Sequence, residues 1–356
     1  MIWQVRMKRF FKIAAVLLAA VIVLAGAALA LFRNEVRSLS TLKKLDDYGM
    51  FQMTYYGDYG FDEFLQVGAE KDSDIEAFVT RRLLKGIPID LGVAGGGCTA
   101  FVTSNEKGEV IYGRNFDFSY SPSLQVFTKP DYGYASVSTV NLSFAGYEKD
   151  DLPDGISIQS FLTLAAPYLP FDGMNEKGLV IALLAVPEAH LDFDEEKITL
   201  NTTTAIRLVL DRAATVEEAV ELLKNYNIYF SGDITCHYLI ADASGKSVIV
   251  EFWDGALQTV TTEDPYQIAS NFIAYQGLNF GEGYTEFERY DAVKEAIQAN
   301  NGALSAEQAV TLLKQVGIRD GQEDKLQWSV VYNLSTLEGT MFAHRNTDNL
   351  IGFSIY

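Results

Sequence analysis

Hydrophobic and polar positions follow three regimes along this chain. Twenty consecutive residues from Ile13 to Phe32, IAAVLLAAVIVLAGAALALF, carry no charge. At 1.5 Å rise per residue, a helix of that length just crosses a hydrocarbon core of about 30 Å. Arg6, Lys8, Arg9 and Lys12 precede it with no acidic residue among them, the flank expected on the cytoplasmic side. The stretch reads as a transmembrane signal-anchor and predicts a single-pass membrane protein whose remaining chain is extracytoplasmic. Ala28, Leu29 and Ala30 also form an A-x-A cleavage site, although the run exceeds a signal-peptide core of roughly 7 to 15 residues. A buried core helix is the third reading.

The second regime, Arg33 to Gly97, holds an aromatic stretch, MFQMTYYGDYGF, and then SDIEAFVTRRLL, where Ser73 and Glu76 fit a capping box. It is too small to stand alone and ends in GVAGGG, Gly92 to Gly97. A phosphate-binding loop needs Lys and Ser/Thr after its glycines, whereas Cys98 and Thr99 follow here. From Cys98 the pattern turns to β-prone runs. CTAFVTS and EVIYGRNFDF flank turn residues Asn105 to Gly108, predicting a hairpin. Later runs are GLVIALLAV, the pair within CHYLIADASGKSVIVEFW, YQIASNF, QWSVVYNL and TMFAHR. Helical periodicity covers Thr202 to Ala214 and Glu286 to Ala299, and two further helices open at Thr215 (Glu218 three residues on) and Ser305 (Gln308 three on). Hairpins and helices in separate blocks predict a layered α+β fold.

Charge narrows the partners. Residues 1 to 97 hold 12 basic and 11 acidic residues, and the rest of the 356-residue chain holds 16 and 36, for a net charge of -19. That balance disfavours a phosphate-backbone-binding face, so nucleic acid is not an expected partner. Two cysteines, Cys98 and Cys236, rule out a disulfide scaffold. Cys236 beside His237 in an apolar strand reads as a small buried residue, since no further ligands stand at metal spacing. His190, His237 and His344 are scattered and receive no catalytic role. The acidic run DFDEEK at 192–197 reads as a solvated loop, with calcium as the alternative.

Chemistry concentrates at Cys98. Hairpin symmetry about a turn near residue 106 sets Cys98 opposite a residue at about 114, which is Arg114. A guanidinium beside a thiol lowers its pKa from about 8.5. Asp117 follows on the same strand, within reach to pair with Arg114 or to orient an amine. The plain alternative is an ordinary strand-end ion pair beside a buried cysteine.

The residues CTAF, GRNFDF and DGMNEKGL, in that order and spacing, resemble the choloylglycine hydrolase family, linear amide hydrolases of the N-terminal-nucleophile superfamily. That family includes conjugated bile acid hydrolases and penicillin V acylases, with acid ceramidase and the N-acylethanolamine acid amidase as more distant relatives. The similarity continues through CHYLIADASGKSVIVE, SNF and FERYDAV and covers residues 98 to roughly 345. It implies a four-layer αββα sandwich, with Cys98 as nucleophile, Arg114 and Asp117 beside it, Asn271 in the oxyanion hole and Arg289 as second arginine. It also implies that the chain cuts itself before Cys98, whose freed α-amino group then serves as base for the thiol. GVAGGG suits such a cut, because glycine at 97 removes Cβ crowding at the attacked carbonyl. One position departs: where bile acid hydrolases carry asparagine and some penicillin acylases tyrosine, this chain has Ala185.

The expected organisation is therefore a basic stub and signal-anchor at 1–32, a propeptide or small-subunit segment at 33–97, and an N-terminal-nucleophile hydrolase domain at 98–356 outside the cytoplasm. The expected activity is hydrolysis of an N-acylated small molecule, without metal or cofactor. The cut fragment would be retained as a non-covalent subunit or discarded, and oligomeric state stays open. A bile salt hydrolase or penicillin V acylase of the same mechanism is the alternative, and an unprocessed membrane-anchored binding protein is the alternative from another class.

Overall fold

A computed structural model of the protein describes residues 2–92, 96–275, 286–321 and 323–356. Helix α1, Ile2–Leu31, comes first. Among the described residues no helix is long and apolar enough to cross a membrane. That finding overturns the transmembrane signal-anchor, and with it the single-pass placement of the rest of the chain outside the cytoplasm.

The next segment supplies strands β1 (Lys43–Lys44) and β2 (Met50–Thr54) and helices α2 (Phe61–Val67) and α3 (Asp72–Arg82). Helix α3 does not start at the expected capping box. Lys71 is its N-cap, and Glu76 instead accepts from the Leu91 backbone N–H at 2.9 Å. Then follow β3 (Gly97–Ser104), β4 (Val110–Asp117), β5 (Ser123–Thr128), β6 (Ser136–Asn141), β7 (Pro170–Asn175) and β8 (Val180–Ala185). Helices α4 (Thr202–Arg212) and α5 (Val216–Lys224) lead to β9 (Cys236–Ala241), β10 (Ser247–Trp253), β11 (Ala256–Val260) and β12 (Gln267–Ala269). The chain ends with α6 (Glu286–Ala299), α7 (Ala306–Val316), β13 (Leu326–Asn333), β14 (Glu338–Ala343) and β15 (Ile351–Ser354).

Two sheets stack. One has nine strands in the order β1-β2-β5-β6-β7-β8-β9-β10-β11, the other six in the order β12-β3-β4-β13-β14-β15. Helices α4 and α5 cover the outer face of the first, α6 and α7 that of the second, which gives the expected αββα layering. Both faces of the central strands are therefore buried, and β4 reads as a continuous buried run instead of an alternating one. Even-numbered positions of β3 and β4 (Cys98, Ala100, Tyr112, Phe116) join the core between the sheets, whereas Phe101 and Ile111 pack under α6 and α7.

The β3–β4 turn fixes what stands beside Cys98. Asn105 donates its backbone N–H to the Glu109 carbonyl, and Gly108 turns the chain at φ +79°. This longer turn moves the register by two residues from expectation: Cys98 faces Phe116, and Arg114 faces Ala100.

Candidate active site

All five residues singled out in the sequence converge at one end of β3. Cys98 is 1% exposed. Arg114, one pair along on the same face of β4, reaches it diagonally and brings Nη2 to 3.9 Å from Sγ. The contact expected from direct pairing thus survives the register shift.

Arg114 does not pair with Asp117. These residues point to opposite faces of β4. Between the sheets, Arg114 meets Asp172 of β7 at 3.1 Å, both side chains fully buried, and donates Nη2 to the Leu183 carbonyl at 3.2 Å. Asp172 also accepts from Tyr332 Oη at 2.7 Å and Trp328 Nε1 at 3.3 Å, while the mutually stacked rings of Phe116 and Trp328 lie beside the guanidinium. Asp172 is the residue that sequence reasoning missed. It opens the quoted DGMNEKGL run, but its partners come from β4 and β13, and no local pattern joins them.

Asp117 lies on the helical side. Its Oδ1 accepts from the Ile318 backbone N–H at 2.7 Å, and Oδ2 stands 3.8 Å from Arg289 Nη1. Burial pushes its carboxyl up to about 6 against the pull of Arg289 and the Ile318 N–H. Asp117 faces Gly97 across the strand pair, and a Cβ at Gly97 would collide with Ile318 Cδ1. Ile318 could give way to it, but a Cβ at Gly96 would come within 2.8 Å of the Asp117 backbone carbonyl oxygen, so it is at Gly96 that the chain requires glycine. Val93, Ala94 and Gly95 of the glycine tract lie outside the described residues.

Arg289 and Asn271 close the cluster around the Cys98 backbone. Arg289 donates Nη1 to the Cys98 carbonyl at 2.7 Å and to Thr99 Oγ1 at 2.5 Å, and Nη2 to Asn271 Oδ1 at 2.8 Å. Asn271 Oδ1 also accepts the Cys98 N–H at 2.6 Å, and Nδ2 donates to the Ala185 carbonyl at 2.7 Å. Two donors at one end and a carbonyl at the other fix the orientation of this amide. Ala185 contributes through its backbone alone.

The thiol is not lowered as the sequence suggested. Burial pushes the Cys98 pKa above its ordinary value, outweighing Arg114, Arg289 and a hydrogen bond from the Ala185 backbone. In this chain the cysteine is an enclosed thiol whose neighbours are arranged around its backbone N–H and carbonyl. Cys236 is a free buried thiol on β9, as expected, and among the described residues no group of His, Cys, Asp and Glu is placed to hold a metal ion.

The model of the linear amide C–N hydrolases, choloylglycine hydrolase family, matches residues 98–305, which begins at Cys98 and includes Arg114, Asp117, Asn271 and Arg289. The chain belongs to the choloylglycine hydrolase family. That family is one of hydrolases of linear C–N amide bonds, and the chain spans less than two thirds of the length of the curated relatives it matches. It is 29% identical over 224 residues to a bile salt hydrolase/transferase of Clostridium perfringens, covering 58% of this chain and 65% of that protein. It is 33% identical over 111 residues to a penicillin V acylase of Pectobacterium atrosepticum, covering 28% and 29%. Among solved structures, a mutant of the conjugated bile acid hydrolase from Clostridium perfringens superposes with TM-score 0.53 at 20% identity, covering 72% of this chain and 92% of that one. The expected N-terminal-nucleophile-type α+β fold is thereby supported, without the membrane helix.

Proposed function

We propose that the protein is a cysteine amidase that cuts itself before Cys98 and then hydrolyses the linear amide bond of an N-acylated small molecule. The observation carrying this reading is the hold on the Gly97–Cys98 junction: Asn271 Oδ1 takes the Cys98 N–H and Arg289 takes its carbonyl, with Asp117 opposite Gly97.

In self-cleavage, Sγ attacks the Gly97 carbonyl carbon, the C–N bond breaks with its nitrogen taking the thiol proton, and water hydrolyses the resulting thioester. The freed α-amino group, with an ordinary pKa near 8, then accepts the Sγ proton in each turnover. Sγ attacks the substrate carbonyl, the amine leaves protonated, and water releases the acid. Arg114 and Arg289 stabilise charge, Asn271 and the Ala185 backbone N–H serve the oxyanion, and Asp117 orients the α-amino group.

The segment 33–97 stays with the hydrolase as a non-covalent subunit in this reading, because it supplies two strands to the nine-stranded sheet. With alanine at 185, a lipid-like N-acyl amide fits this reading better than a conjugated bile acid or a penicillin. The resemblance to a bile salt hydrolase/transferase keeps bile acid amides in the substrate panel.

Intact-mass measurement should find a chain starting at Cys98, and Cys98→Ala should leave the protein whole. An uncut chain that nevertheless hydrolyses amides would refute the N-terminal-nucleophile mechanism. Comparing kcat/KM for an N-acyl amino acid, an N-acylethanolamine and a taurine-conjugated bile acid tests the substrate class, and a clear preference for the last overturns the lipid-like assignment.

A further inference from the structure

Beyond the five residues above, a buried dyad sits between the sheets beside the Asn271 turn. His237 of β9 and Glu251 of β10 are 1% and 3% exposed and meet at 2.9 Å, Nδ1 to Oε1. The same carboxylate accepts the backbone N–H of Ala274 on Oε1 at 2.9 Å and that of Tyr275 on Oε2 at 2.8 Å. Burial works against the charge of Glu251, but these hydrogen bonds outweigh it and hold the carboxyl below its usual range.

Those two amides are three and four residues past Asn271. Between them and Asn271 the chain is tied down by Phe272, whose ring stacks on Phe287 of α6 at 4.6 Å and meets Tyr290 at 5.4 Å. The segment that leaves Asn271 is thus fixed twice, by the aromatic clamp at Phe272 and by the Glu251 carboxylate at Ala274 and Tyr275. The dyad is also tied to the strand that receives the Asn271 amide, because His237 pairs in register with Leu184, and Cys236 with Ala185. His237 Nε2 is buried with no hydrogen-bond partner. An unsatisfied buried nitrogen of this kind costs stability.

We infer that Glu251, oriented by His237, is a positioning residue that sets the Asn271 amide for acyl transfer at Cys98. The inference rests on the amidase reading and extends it to the histidine and the closing glutamate of the CHYLIADASGKSVIVE run, to which that reading gives no role. Glu251 needs acceptors on both oxygens, since each faces N–H donors. Glutamine at 251 would set its NH2 against one of them and release one side of the turn. His237 has only to donate from its Nδ1 side, which an asparagine amide can imitate.

Two reagents separate positioning from packing. Acylation of Cys98 by p-nitrophenyl butyrate develops an oxyanion, whereas alkylation by iodoacetamide does not, and both are followed by intact mass of the Cys98-started chain in the processed protein. Glu251→Gln should slow acylation by about tenfold to a hundredfold while alkylation changes by less than about twofold. His237→Leu should behave like Glu251→Gln, and His237→Asn should keep acylation within about threefold of wild type. Acylation at the wild-type rate in Glu251→Gln, or an equal fall in both reactions, would overturn the inference. A processed wild type that alkylates but never acylates would instead overturn the amidase reading, and the dyad's role with it.

Discussion

At the scale of single residues, two buried carboxylates carry distinct predictions. Asp117 sits in the uncut chain with its pKa pushed to about 6, burial being the main cause. A carboxyl raised above its unfolded value of about 3.9 makes the folded state bind more protons between those pH values. Its contribution to stability is therefore fully present below about pH 4 and is lost as pH rises through 6, a change on the order of 3 kcal/mol. Thermal melts of Cys98→Ala against Cys98→Ala/Asp117→Asn should diverge in slope across pH 4 to 6.5, the single variant losing Tm relative to the double. Parallel curves would mean that Asp117 keeps an ordinary pKa. Asp172 answers to a different experiment. Removing its charge leaves Arg114 buried without a counter-ion, a loss of about 3–5 kcal/mol in comparable pairs. Asp172→Asn should lower both urea stability and single-turnover acylation, and adding Arg114→Met should restore much of the stability but none of the rate. Recovery of the rate in the double variant would show that Arg114 has no part in the chemistry. These residues also show where sequence reasoning stops. Cys98, Arg114, Asp117, Asn271 and Arg289 were found through ordered motifs, but the partner of each charge was not. Asp117 pairs with Arg289 and Arg114 with Asp172 because alternate strand positions face opposite layers, and that follows only once both layers are built.

At the scale of elements, legibility tracked how local the controlling interaction is. Helix α7 begins where Ser305 and Gln308 satisfy each other's end of a capping box, and α5 begins after Thr215, whose side chain accepts the Glu218 N–H. Both signals lie within four residues. The same signal misled at Ser73, where tertiary partners took the acidic residues instead. Asp72 accepts from Tyr229 and Ser231, and Glu76 from Leu91. Strands β5 and β6 escaped the hydrophobic pattern because polar residues occupy buried positions in them. Thr128 and Ser136 look like turn or surface residues, yet both are buried and receive the guanidinium of Arg207 from α4. The β3–β4 hairpin was read correctly as a hairpin, and its register was missed by two residues because the number of residues in the turn cannot be read from composition. The site survived that miss because diagonal neighbours on one face stay within reach of a long side chain.

At the scale of the whole molecule, the segment before Cys98 is built into the sandwich. Strand β2 runs parallel to β5 in register from Met50 opposite Ser123 to Thr54 opposite Phe127, and Met50, Phe51 and Met53 are buried. Phe61, Phe64 and Phe78 surround Tyr168 at ring distances of 5.3 to 5.8 Å. Tyr59 donates its hydroxyl to Asp211, which in turn pairs with the buried Arg207 at 2.8 Å. Withdrawing this segment would expose the edge of β5 and strand an aromatic pocket in water, both unfavourable. The cut proposed at Cys98 should therefore leave two chains that elute together in size exclusion. No disulfide links them, since the only cysteines are Cys98 and Cys236. Denaturant should separate them in the same transition that abolishes activity. Tyr59→Phe removes one of the hydrogen bonds to buried Asp211, a loss of about 1–3 kcal/mol, and should shift that transition to lower denaturant without changing where the chain is cut. A chain beginning at Cys98 that elutes alone, folded and active, would make the segment a discarded propeptide, and the nine-stranded sheet would then have to function without its β1 and β2 edge.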